Sequence, residues 1–193
     1  TTEHDNDWRF HFEILTDFLR PELGTSWKRI EPETQPFQVI QPTLLTQSDG
    51  SIRALMRSKH EQIAESISTD GARTWSDLKL IDLPNNNSGI EAVTLEDGRH
   101  LLLYNHTGGR PDQNDGWGRR NVLNLAVSED GVKWKEVATI EKEDTGEFSY
   151  PAMIQTSDGL IHMTYTWNRQ KVKHVVVDPA KLMVGKTLNL DFE

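Results

Sequence analysis

The chain contains no cysteine, which removes disulfide frameworks, thiolate zinc sites and cysteine nucleophiles from consideration. It has no basic excess: 30 acidic against 21 basic residues give a net charge of −9, which argues against nucleic acid or an anionic membrane surface as the main partner. No apolar run approaches the ~18 residues that span a bilayer, so no membrane insertion is expected. No apolar stripe of helical period reaches helical length. The 7 histidines show no metal-ligand spacing, and no motif asks for a nucleotide, a flavin or a metal. No cofactor is therefore expected. Thr1 is not a methionine and no leader precedes it, so the chain is expected to be a processed or trimmed segment. Its compartment is not legible, and the missing cysteines fit a secreted or periplasmic protein in composition only.

What is present is turn-rich and aromatic. The 193 residues suit one domain or part of a larger one, with 35% apolar residues, 13 glycines and 6 tryptophans. Asp-Gly recurs at Asp49-Gly50, Asp97-Gly98 and Asp158-Gly159, each time between two apolar or alternating runs. That is a strong hairpin signal, because tight turns need a positive φ. The spacings of 48 and 61 residues match roughly one four-stranded propeller blade per repeat.

A second repeat lies in phase with the first. Ser68-Thr69-Asp70-Gly71-Ala72-Arg73-Thr74-Trp75 returns as Ser128-Glu129-Asp130-Gly131-Val132-Lys133-Trp134, one residue shorter. In each box the Asp accepts bonds from turn amides, Gly supplies the unusual φ, and Trp covers the underside. Ser68, Asp70, Trp75, Ser128, Asp130 and Trp134 are therefore structural. A degenerate third copy is expected at Asp17–Trp27. The expected fold is all-β: a partial propeller of about three to four four-stranded antiparallel blades. The expected division is the end of a blade over about 1–35, blades over 36–83, 84–142 and 143–185, and a tail over 186–193.

The three hairpins can be superposed. Eight residues before Asp49 stands Gln41, and eight before Asp158 stands Tyr150; allowing a middle hairpin two residues shorter, Glu91 falls in the same place. Eight residues after each Asp stand Arg57, Asn105 and Thr166. A carboxylate, a phenol, an amide and an arginine are thus expected at one mouth of a central channel. The polar loop from Asn105 to Arg119, with His106 and Trp117, is expected either to be plain surface or to form a rim that contacts sugar.

The box at Ser68–Trp75, with Gln41-Pro42, Asn87-Ser88-Gly89-Ile90-Glu91-Ala92 and Ser149-Tyr150-Pro151, resembles the exo-α-sialidase family and its predicted-neuraminidase branch. The resemblance runs over nearly the whole chain. It implies a six-bladed propeller of which this chain is the C-terminal half. It also implies a glycosidase that removes a terminal acidic sugar, with arginines on the sugar carboxylate, a Tyr nucleophile polarised by a Glu, and an Asp acid. Arg57 matches the family's second arginine, Arg120 or the neighbouring Arg119 the third, and Tyr150 the nucleophile. The first arginine and the acid belong to the other half. Where the family has its Glu this chain has Gln41, and Ala72 replaces a usual Gly.

A phenol suits this chemistry, because a carboxylate nucleophile would be repelled by the carboxylate on the anomeric carbon. Phenol has a pKa near ~10 and needs a base in contact, a role for which Glu91 is the candidate. Each site residue also has a bland reading: Tyr150 as packing, Glu91 as a structural carboxylate, Arg57 as a surface ion pair, Arg119 and Arg120 as solvated charge. A carbohydrate-binding propeller without catalysis, a glycosidase for another sugar and a protein-binding scaffold are the competing functions. A half-propeller would expose blade flanks, so a missing N-terminal half or a dimer partner is expected.

Overall fold

The computed structural model describes residues 1–4, 7–16, 22, 26–33, 36–109, 117–182 and 188–189. Most of the expected third box lies outside these residues. No α-helix occurs among them.

Four strands, β5 (Val39–Thr46), β6 (Ile52–Ser58), β7 (Gln62–Ser68) and β8 (Lys79–Pro84), form one antiparallel sheet in chain order. The next sheet repeats that order with β9 (Glu91–Thr94), β10 (His100–Tyr104), β11 (Val122–Ser128) and β12 (Lys135–Lys142). Its outer edge gains a short parallel strand, β16 (Leu188–Asn189). The third sheet has three strands, β13 (Phe148–Gln155), β14 (Ile161–Trp167) and β15 (Lys171–Val177). Two short pairs precede them, β1 (Thr2–His4) with β2 (Asp7–Arg9), and β3 (Phe12–Thr16) with β4 (Ser26–Ile30). Successive antiparallel sheets in chain order are the arrangement of propeller blades, present here over part of a ring.

The same physics builds all three hairpins. Between β5 and β6, Gly50 N–H donates to Gln47 O at 3.0 Å and Gln47 N–H to Ser51 O at 2.8 Å. The same two bonds recur on Leu95 with Gly98 and Arg99, and on Thr156 with Gly159 and Leu160. Each Asp carboxylate also accepts from the amide two residues on, at 2.9, 3.0 and 3.1 Å for Asp49, Asp97 and Asp158. The glycines sit at φ +82°, +87° and +82°. The loops are thus three-residue turns closed by a left-handed glycine.

The Asp boxes join the third strand of a sheet to the fourth. Asp70 Oδ1 accepts from Ser68 Oγ and from the amides of Arg73 and Thr74, while Oδ2 accepts from Thr74 Oγ1 at 2.7 Å. These bonds, led by the one from Thr74, pull the Asp70 carboxyl down to about 2. Asp130 repeats the pattern on Ser128, Val132 and Lys133. Trp75 stacks on Phe12 of β3 with ring centroids 4.1 Å apart. Trp27 is instead 65% exposed.

Apolar side chains alternate into the spaces between sheets. One cluster packs Phe10 against Val39, Ala54 and Met56, with Trp75 at its margin. A second packs Leu45, Leu55 and Ile63 against Ala92, Leu102 and Tyr104, with Trp134 at its margin. The largest joins β9–β12 to β13–β15 through Leu103, Leu125, Phe148, Met163 and Tyr165. Each fully buried Leu, Ile or Phe contributes about 1.5–3 kcal/mol.

Candidate active site

The site begins with two irregular strands. β5 and β13 each break register at an X-Pro pair: between Ile40 and Thr43, and between Ser149 and Ala152. Pro42 and Pro151 have no N–H for the ladder, and the preceding Gln41 and Tyr150 take left-handed φ of +56° and +51°. Such backbones cost about 1–3 kcal/mol each and gather at functional sites. The two side chains converge. A Cβ placed on Gly89 would lie 3.6 Å from Gln41 Oε1 and 3.8 Å from Tyr150 Cδ1.

That geometry corrects the superposition of the middle hairpin. Counting from the turns, Glu91 pairs with Leu103 as Thr43 pairs with Leu55 and Ala152 with Thr164. Glu91 is therefore level with Thr43 and Ala152, two residues further along, and Gly89 is the counterpart of Gln41 and Tyr150. The Glu91 carboxylate accepts from Thr43 Oγ1 at 3.0 Å, and burial pushes its pKa up. No hydrogen bond joins it to Tyr150 among the described residues.

Arg57 stands opposite Ile40, one pair before the end of the β5–β6 ladder, and is 3% exposed. Its Nε donates to Asn87 Oδ1 and one Nη to Gln41 Oε1, both at 3.0 Å. Its guanidinium lies 5.0 Å from the ring centre of Trp8 and 5.4 Å from that of Trp117. The two indoles meet edge to face at 5.8 Å. Burial, then the charge of Arg120, lowers the pKa of Arg57, while the charge of Glu3 and then Tyr150, by charge and by a side-chain hydrogen bond, work in the opposite direction. No carboxylate among the described residues forms an ion pair with it.

Arg120 sits over the Tyr150 ring at 5.5 Å and 3.5 Å from Glu147 Oε1. Arg169, in the turn between β14 and β15, donates to the same Glu147 oxygen at 2.7 Å. These groups line one side of an open cavity of about 660 Å³ with Trp117, Arg119, Gly146 and Tyr150. Tyr150 is 53% exposed there. Of the two neighbouring arginines, Arg120 faces the tyrosine. Arg119 is exposed at the rim, and its carbonyl accepts from Asn86 Nδ2 and from Thr107 Oγ1.

Two expected site residues serve the scaffold. Asn105 is fully buried, and its amide donates to Val122 O and to Phe148 O, tying the middle sheet to the third. His106 meets the Tyr104 hydroxyl and lies 3.8 Å from Glu136 on β12, the outer side of its sheet. Residues 110–116 of the loop that holds it lie outside the described residues. Trp8, Asn87, Gly89, Glu147 and Arg169 also stand at the site, and the repeat spacing does not single them out. The run Asn85-Asn86-Asn87 was their best signal: it is fully buried, and Asn86 O accepts from Gly118 N, holding the segment that leads to Arg120.

Fold and site together define a propeller segment with an arginine–tyrosine mouth on the blade starts. The chain belongs to the family described as BNR repeat-like domain, whose model matches residues 1–163. It is 24% identical over 164 residues to the anhydrosialidase of Macrobdella decora, covering 77% of this chain and 21% of that protein. Its fold is similar to the K499G mutant of NanB sialidase from Streptococcus pneumoniae, with a TM-score of 0.70, 17% identity, and coverage of 92% of this chain and 28% of that one. The α-L-arabinanase of Penicillium chrysogenum, in complex with arabinobiose, also shares the fold, with a TM-score of 0.55, 15% identity, and coverage of 76% and 48%. The chain thus spans 21–28% of the length of these two sialidase relatives.

Proposed function

We propose that these residues supply the arginine and tyrosine side of a sialidase-type glycoside hydrolase that cleaves a terminal sialic acid or related acidic sugar. One observation carries this reading: among the described residues Arg57 is a buried cation without an ion-pair partner, and it sits with Arg120 against an accessible tyrosine. A buried charge that nothing neutralises costs several kcal/mol, and an anionic ligand offsets that cost. Arg57 and Arg120 hold the sugar carboxylate. Tyr150 Oη attacks the anomeric carbon as the glycosidic bond breaks. Its phenolic proton passes to a base, and the leaving oxygen takes a proton from an acid supplied by the rest of the propeller. Water then releases the sugar from Tyr150 and restores the phenol.

Glu91 remains the candidate base by residue type, although its bond to Thr43 and its raised pKa suit a structural carboxylate equally. That observation favours a second reading, a propeller that binds acidic sugar without hydrolysing it. Both readings take the missing part of the ring as the partner that completes the site.

The test uses the full-length protein and a fluorogenic sialoside, followed by other acidic glycosides. Turnover that falls at least ~100-fold in Tyr150→Phe supports the nucleophile. Loss in Glu91→Gln as well assigns the base. Full turnover in both variants overturns the catalytic assignment. Binding of the acidic sugar without turnover in the unmodified protein selects the second reading.

A further inference from the structure

We infer that the outward face of the third sheet is a blade-to-blade joint closed by the next sheet of the propeller, and that the stacked pair His162 and His174 at its centre makes the joint acid-labile. The inference rests on the ring continuing beyond β15, and it holds for either reading of the chemistry.

Register places the pair. His162 stands four residues after Asp158, as Arg53 stands after Asp49 and Leu101 after Asp97. It pairs with Ile154, as Arg53 pairs with Leu45 and Leu101 with Val93. His174 pairs with Thr164, as Glu65 pairs with Leu55 and Leu125 with Leu103. One diagonal pair thus recurs in all three sheets: Arg53 with Glu65, Leu101 with Leu125, His162 with His174. In the first two sheets the following sheet covers it. Leu45 and Leu55, on the face of Arg53, pack against Ala92 and Leu102, and a Cβ placed on Gly131 would lie 3.4 Å from Arg53 Nε. Leu101 and Leu125 pack against Met153 and Met163. Arg53 and Glu65 are 8% and 2% exposed, and both leucines are fully buried. The fold meets that burial once with an ion pair and once with an apolar contact. Around the third pair Ala152, Ile154, Val172 and Val176 stand exposed. That face has the composition of the covered ones. The occupant that fits it is an uncharged, apolar sheet face like the one that covers Arg53 and Glu65.

The imidazoles make this joint differ from the other two. His162 Nδ1 and His174 Nε2 are 2.9 Å apart, and the rings lie 20° from parallel with centres 5.1 Å apart. One nitrogen donates and the other accepts, so at least one ring is neutral. A second proton removes the acceptor and sets two cations in contact. In water the cost is small. Under an apolar sheet it is large, because the charges lose hydration and, among the described residues, no carboxylate pairs with either ring. Ala152 and Ile154 of β13, Thr164 of β14, and Val172 and Val176 of β15 share the face, and none carries charge. Asp158, in the β13–β14 turn, is bound by Thr156 Oγ1 and by the Leu160 amide and reaches His162 only through its field. Asp178, just past β15, accepts from the Ala180 amide at 2.9 Å. The opened or unfolded chain takes up protons that the closed joint refuses. Stability therefore rises with pH through the imidazole range and is lost below about pH 6.5.

The experiment uses the full-length protein and two double variants. His162→Leu with His174→Leu copies the pair Leu101 and Leu125; His162→Arg with His174→Glu copies Arg53 and Glu65. Melting is followed from about pH 8 to about pH 5. Carbethoxylation of each histidine by diethyl pyrocarbonate near pH 7 is read by mass spectrometry, with the exposed His60 as reference. The expected result is that His162 and His174 react at least ~10-fold more slowly than His60. The melting temperature of the unmodified protein should also fall at least ~2 °C further between about pH 7.5 and about pH 5.5 than that of the leucine variant. Should the leucine variant not fold, the Arg and Glu variant carries the same comparison. Labelling of both histidines as fast as His60 overturns the covered face. Protected histidines with parallel pH profiles overturn the acid-labile joint. Protection that disappears on dilution, with a dimeric mass, overturns the ring neighbour in favour of a second copy of the chain.

Discussion

Two residues show how differently the fold uses charge. Among the described residues Arg57 is held by the amide oxygens of Asn87 and Gln41 and by no carboxylate, whereas Asp70 is bound on both oxygens by its own box. The folded pKa of Asp70 is about 2, below the ~3.9 of a free aspartate. Its stabilising contribution is therefore complete above the unfolded value and is lost as pH falls through the folded one. Asp49, Asp97, Asp130 and Asp158 are lowered in the same direction by their turn bonds. Melting temperature should drop as pH falls from ~4 to ~2, and Asp70→Asn should melt lower at neutral pH with a shallower acid limb. Scanning calorimetry from pH 6 to 2 tests this, and superimposable pH profiles would refute it. Asp70 was legible as structural because its whole set of partners is local. Arg57 was legible only as a position, since Asn87 stands 30 residues away and Trp8 stands 49 away.

At the scale of elements, the hairpins and boxes were readable because their geometry is local: Asp-Gly and Ser-x-Asp-Gly carry both the φ angles and the side-chain acceptors. The exception within the first box is Ala72 at φ +67°, a conformation that favours glycine. Ala72→Gly should relieve strain of about 1 kcal/mol and raise the melting temperature by about 2–4 °C. An unchanged or lower value would show that the Ala backbone is unstrained. The strand starts were less legible. The X-Pro bulges at Gln41 and Tyr150 add residues without a ladder partner, whereas the middle strand begins only at Glu91. A count along the sequence treats that difference as a shorter hairpin, and so placed Glu91 two residues away from its true level.

For the whole molecule, each gap between sheets is filled except at the last. The third sheet leaves Ile154 58%, Val172 70% and Val176 45% exposed, with His162 and His174 stacked among them at 5.1 Å. β15 also has no neighbour beyond β14 among the described residues. An apolar face beside an open strand edge favours association. Residues 1–193 produced alone should therefore self-associate or bind the remainder of the propeller, and Val172→Thr with Val176→Thr should weaken that association. Native mass spectrometry decides it. A single 22.1 kDa species that melts cooperatively would show that this face is stable in water.

The sequence alone determined the fold class and the hairpin and box turns. All of these rest on contacts within a few residues or on a repeat that restates itself. Only the tertiary structure decided what surrounds the site residues. It set Asn87 and Gln41 on Arg57, closed Trp8 and Trp117 over it, turned Arg120 rather than Arg119 toward Tyr150, and buried Asn105 between sheets. Most of those relations reach beyond one blade, and their distances depend on how far each strand runs before it bulges, which the spacing of residues along the chain does not encode.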